Sequence, residues 1–98
     1  MTLPIIISEE ASAEFDEAFD YFEASRAGKG VEFAAVVGRA LKMIANQPRM
    51  HQEVQDGVRK GAIIGFPFVV IYRPLADAID VIAIFYPIRD PAGWQSRL

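Results

Sequence analysis

The spacing of apolar residues changes character along this chain, and each change marks an element. Leu3 to Ile7 is a short apolar run with three consecutive isoleucines, too short for a helix and predicted to be a buried strand. Ser8, followed by Glu9 and Glu10, is an N-cap side chain with acidic groups at the positive end of a helix dipole. From Glu9 to about Ala24, Ala11, Phe15, Ala18, Phe19 and Phe22 recur at helical spacing, with Glu14, Asp16, Glu17, Asp20 and Glu23 on the outer faces. Arg26 to Gly30 breaks this pattern with two glycines. A second helix is predicted over Val31 to Ala45, where Phe33, Val36, Val37, Ala40, Leu41 and Ile44 follow the i, i+3, i+4, i+7 rule. Pro48 ends it, because proline disfavours helix in the residue before it. Two helices joined so closely form an antiparallel hairpin.

The second half has a period of two. A polar connector from Gln47 to Gly57 is followed by three predicted strands at Val58 to Gly65, Phe68 to Pro74 and Ala78 to Tyr86. Alternation puts Phe68, Val70 and Tyr72 on one face and Val69, Ile71 and Arg73 on the other. Both faces are largely apolar, so this is a central strand with helices on one side and the tail or a partner on the other. Asp90-Pro91 then signals a short final turn or helix carrying Trp94 and Arg97. The predicted order is β-α-α-β-β-β: an α+β fold in which an N-terminal helical hairpin packs on a small, twisted, mostly antiparallel sheet.

At 98 residues the chain is expected to be a single domain, residues 1–98, burying roughly two-thirds of its unfolded surface. It contains no cysteine, which excludes disulfides and thiol catalysis and fits a reducing cytoplasm. The opening MTLPIIISEE has neither a basic leader region nor the length of a membrane span, so a cytoplasmic protein without a membrane partner is expected. The net charge of −3 argues against direct nucleic-acid binding, since each phosphate contact needs a cation. Distribution changes that picture. Residues 1–37 carry eight acidic and two basic side chains, a net of −6, whereas residues 38–98 carry eight basic and five acidic, a net of +3. A basic face is expected from the second part.

Most chemistries find no residues here. Ser8, Ser12, Ser25 and Ser96 lie in no nucleophile elbow, no phosphate-cradling glycine loop follows the first strand, and no cofactor is expected. His51, the only histidine, has no second His or Cys for a metal site and reads as an ordinary surface residue; metal ligands are expected to be none. What remains is Arg59, Arg73, Arg89 and Arg97 with Tyr72, Tyr86 and Trp94 interleaved, a set suited to phosphate or to a protein interface. Arginines stabilise a phosphorane, but cleavage also needs a proton acceptor, and Tyr86 is the tail's one candidate. An unperturbed tyrosine, with a pKa of about 10, is a poor base.

In order and spacing the chain resembles the RelE/ParE toxins of bacterial type II toxin–antitoxin systems, and within them the ParE branch. The residues that carry the likeness are the acidic first helix ending in Tyr21-Phe22, Phe33 and the helix leading to Asn46-Gln47-Pro48, then Val58-Arg59, Phe66-Pro67-Phe68, Tyr72-Arg73, Arg89-Asp90-Pro91, and Trp94 to Arg97. The resemblance implies a growth-inhibiting toxin neutralised by a cognate ParD-like antitoxin of ribbon-helix-helix type, in a hetero-oligomer. ParE-like members inhibit DNA gyrase, whereas RelE-like members cut messenger RNA in the ribosome. Many relatives place a histidine before the tail where this chain has Tyr86, and a second arginine where it has Ile88. Both departures favour gyrase binding, with Arg59, Arg73, Arg89, Trp94 and Arg97 as target contacts. The alternatives are a RelE-like endonuclease using Arg59, Arg89 and Tyr86, and a non-toxic co-repressor. Phe19, Phe22, Val37 and Leu41 are the expected antitoxin anchors.

Overall fold

The computed structural model describes residues 2–98. Among them, the chain runs β1 (Ile5–Ile7), α1 (Glu9–Ser25), α2 (Lys29–Asn46), β2 (Gln52–Gln55), β3 (Val58–Ala62), β4 (Val69–Pro74), β5 (Ile79–Phe85) and α3 (Ala92–Gln95). The strands form one sheet in the order β1-β5-β4-β3-β2. Only β1–β5 is parallel, with Ile5 opposite Ile79 and Ile7 opposite Val81. The predicted α+β architecture is therefore observed, with a correction. The connector after α2 contains a strand, β2, paired antiparallel with β3. It escaped the periodicity because an exposed edge strand reading Gln-Glu-Val-Gln needs no apolar face. The signal it did leave is Asp56-Gly57, a two-residue loop with φ of 45° and 81° between Gln55 and Val58.

Ser8 caps α1 as expected, its Oγ accepting from Ala11 N at 3.0 Å. Helix α2 starts two residues earlier than its apolar period suggests. Glu23 of α1 makes this possible: its carboxylate accepts from Gly30 N at 2.9 Å and Val31 N at 3.3 Å, satisfying donors that an uncapped helix leaves orphaned. Backbone N–H groups, that of Gly28 foremost, hold the Glu23 carboxyl below its ordinary range.

Two apolar layers flank the sheet. Helix-side packing joins Ala11, Ala18, Phe22, Phe33, Val37 and Ile44 to Val70, Tyr72, Ile79, Val81 and Ile84. Its centre is aromatic, with Phe22 5.1 Å from Phe33 and both rings edge-on to Phe66 at 5.0 and 5.2 Å. On the other face Val58, Ile71, Ile82, Ala83 and Phe85 pack around Trp94. Alternation along β4 thus falls as predicted, and the tail covers the face the helices leave open. A bulge interrupts β5: Tyr72 pairs with Val81 and Ile71 with Ala83, so Ile82 is the extra residue.

The hairpin's closeness depends on Gly30. A Cβ there would lie 2.7 Å from the Phe19 carbonyl and 2.6 Å from Glu23 Cγ. Gly30→Ala is expected to force the helices apart and destabilise the fold by about 1–3 kcal/mol, read as a lower urea midpoint.

Candidate functional site

A groove of about 600 Å³ lies between α1 and the tail. Helix α1 supplies one wall through Glu14, Glu17, Ala18, Tyr21, Phe22 and Ser25, which recur at i, i+3, i+4, i+7, i+8 and i+11 beside the core stripe. Phe22, Phe68 and Ile84 give an apolar floor, and Tyr86, Arg89 and Arg97 close the far side. Tyr21 is 70% exposed, and Lys29 Nζ stands 5.1 Å from the centroid of the Phe22 ring.

The tail arginines have different surroundings. Arg97 makes a bidentate pair with Glu14, Nη1 to Oε1 at 3.0 Å and Nη2 to Oε2 at 2.9 Å, and Nη1 also donates to the Ile82 carbonyl at 3.0 Å. Both side chains of the pair are about three-quarters buried, at 21% and 24% exposure. The hydrogen bonds to Glu14 raise the Arg97 pKa further still, against a smaller opposing effect of burial. Arg89 is 67% exposed, with Glu17 4.0 Å away. The expected basic face is thus met, at the tail, by acids of α1.

Sequence reasoning grouped five residues as target contacts, and the fold separates them. Arg89 and Arg97 share the groove with Tyr86. Trp94 is buried on the opposite face of the sheet. Arg73 alternates away from Tyr72, opposite Asp80. Arg59 lies across from Tyr72 on β3, where Nη1 donates to the carbonyls of His51 at 2.6 Å and Arg49 at 3.2 Å, and Nη2 lies 3.7 Å from Glu53. It pins the connector after α2 to the sheet. Of the four apolar anchors, Phe22 and Val37 belong to the core, while Phe19 and Leu41 stay half-buried. Glu14, Glu17, Tyr21 and Lys29 were missed as groove residues. Their stripe along α1, adjoining the core stripe, was the signal available.

His51 is not an ordinary surface residue. Its ring sits edge-on to Tyr72, centroids 6.1 Å apart, and over Gly61, where a Cβ would come within 2.9 Å of Cδ2. Burial, and then the Arg59 charge, hold its pKa below the ordinary value. Tyr72 donates to the Pro48 carbonyl at 2.9 Å, and burial pushes its hydroxyl up. Among the described residues, no group of three or more His, Cys, Asp or Glu is placed to hold a metal ion. No described helix is long and apolar enough to cross a membrane. The groove offers an aromatic floor and cations, with neither histidine nor cysteine among its lining residues.

Comparison with known proteins agrees with the fold. The family model for the ParE toxin of the type II toxin–antitoxin system, parDE, matches residues 5–90. A solved chain of the chromosomal ParDE TA system from P. aeruginosa superposes with a TM-score of 0.67 at 21% identity, covering 87% of this chain and 96% of that one. Among curated proteins, none matches the sequence.

The His51 environment has a pH consequence. The unfolded chain takes up a proton near the ordinary value of 6.5, whereas the folded chain resists it. Stability is therefore retained above that pH and declines as the pH falls from there towards the lower folded value. His51→Gln is expected to flatten the loss of urea midpoint between about pH 7 and pH 5.

Proposed function

Because the chain belongs to the ParE toxin family of type II toxin–antitoxin systems, we propose that it arrests growth by binding DNA gyrase and is neutralised by a cognate antitoxin. The observation that carries the reading is the composition of the groove. An exposed arginine, two tyrosines and a phenylalanine floor surround a space large enough for a partner's side chains. Aromatic and arginine side chains of this kind dominate binding energy at protein interfaces. A nuclease reading is poorly supplied there: no histidine lines the groove, Glu14 is engaged by Arg97 and the Ile84 amide, and Arg59, the second cation a nuclease would use, is occupied by connector carbonyls. Arg89 is the target contact best supported, and Tyr21 joins it.

For the antitoxin, the reading favours the outer side of the α1–α2 hairpin. Phe19 and Leu41 keep partial exposure, Leu41 packing against the helix-side core, and Val31 and Met43 of α2 are exposed. An amphipathic segment laid along the hairpin would bury these residues without disturbing Phe22 or Val37.

Two measurements test this. Purified chain in excess over gyrase is expected to inhibit supercoiling, and Arg89→Ala to weaken inhibition by about tenfold or more. Supercoiling left intact beside cleavage of translated messages would replace gyrase binding with endonuclease activity. Phe19→Ala and Leu41→Ala are expected to weaken antitoxin binding by about tenfold each while leaving supercoiling inhibition in place.

A further inference from the structure

We propose that Glu14, by its sequence one more solvated acid of α1, sets the position of the C-terminal tail. One carboxylate ties three elements together. Oε1 accepts from Ile84 N of β5 at 3.2 Å and from Arg97 at 3.0 Å, and Oε2 accepts from Arg97 at 2.9 Å. The outer edge of β5 explains why a charged acceptor belongs here. Strand β1 pairs with β5 only as far as Val81. Past that point Ser8 Oγ and Arg97 Nη1 donate to the Ile82 carbonyl, and Glu14 accepts from the Ile84 amide. Glu14 and Arg97 stand in for the next residues of a strand that β1 does not supply.

The tail is consequently held at two separated points. Trp94 is packed beneath the sheet, and Arg97 reaches round the edge of β5 to α1 on the other face. Arg89 lies between the end of β5 and these anchors, with its own Glu17 contact at the 4.0 Å limit of an ion pair. Its place in the groove depends on where the tail is fixed. Glu14 is therefore a positioning residue, acting on the target through Arg97 and Arg89. That last step rests on the tail being the recognition surface.

The sharpest variant is Glu14→Gln. It keeps the volume and an acceptor for Ile84, but it removes the charge and turns an amide donor towards Arg97, which only donates. In the purified chain, amide exchange over residues 92–98 and acrylamide quenching of Trp94, the sole tryptophan, are expected to rise by about tenfold and severalfold respectively, with Val70 and Val81 amides unchanged. Arg97→Gln should reproduce this, and the double variant should be no worse than either alone. Native exchange and quenching in both single variants would overturn the proposal. If Glu14→Gln does not fold, Arg97→Gln reads the same joint from its other side. Gyrase inhibition measured on the same samples separates the two readings. A loosened tail with inhibition reduced about tenfold supports both, whereas a loosened tail with full inhibition supports the positioning role and overturns the tail as recognition surface.

Discussion

Strand β5 must satisfy its backbone on both edges while lying buried between two apolar layers, and much of the molecule is arranged around that requirement. Unpaired peptide groups in such a place cost about 1–3 kcal/mol each. Strand β4 serves one edge throughout, with the bulge at Ile82 taken up in their register. On the other edge β1 serves the first half, from Ile79 to Val81, and then the chain turns into α1. Side chains serve the rest. Ser8 both caps α1 and donates to Ile82, so the residue that starts the helix also closes the strand edge. Glu14 and Arg97 complete it, and they fold the tail back in doing so.

The charge segregation along the chain has its structural counterpart in this joint. Acids concentrated in α1 face cations delivered by the tail, and the best-formed pair joins residues 83 positions apart. The pair is about three-quarters buried, and removing one partner would leave a poorly solvated charge. Arg26–Glu32, at 3.0 Å between exposed side chains, is of the kind that contributes little. Tail and helix meet at the Arg97–Glu14 pair, which lines the groove together with Arg89, Tyr86 and Tyr21 around an apolar floor.

A similar economy appears at the opposite edge. Arg59 looks like a surface cation on a strand, yet its guanidinium satisfies two carbonyls of the connector leading into β2. His51 in that connector lies over Gly61, where a Cβ would come within 2.9 Å of its ring. One of the two arginines that invite a catalytic reading thus holds irregular backbone in place. The fold is shared with a ParDE-system chain at 21% identity, as expected where layers and backbone satisfaction, more than particular side chains, define an architecture.

The sequence by itself determined the parts whose information is local. Helical spacing predicted α1 and α2, Ser8 predicted the cap of α1, and alternation along β4 assigned its two faces correctly, because burial of one stripe or face is written into consecutive residues. Asp90-Pro91 does mark the start of α3, but the N-cap position falls on Pro91 rather than Asp90, whose Oδ1 accepts from Ala92 N at 3.0 Å. Tertiary structure alone decided the parallel pairing of β1 with β5 and the bulge at Ile82. It also decided which arginines face the groove. Trp94 and Arg97 stand three residues apart and look equivalent in sequence, but one is core on the far face and the other a clasp on the near edge. Such outcomes turn on where a distant strand leaves its N–H and C=O groups unpaired, and no run of neighbouring residues records that.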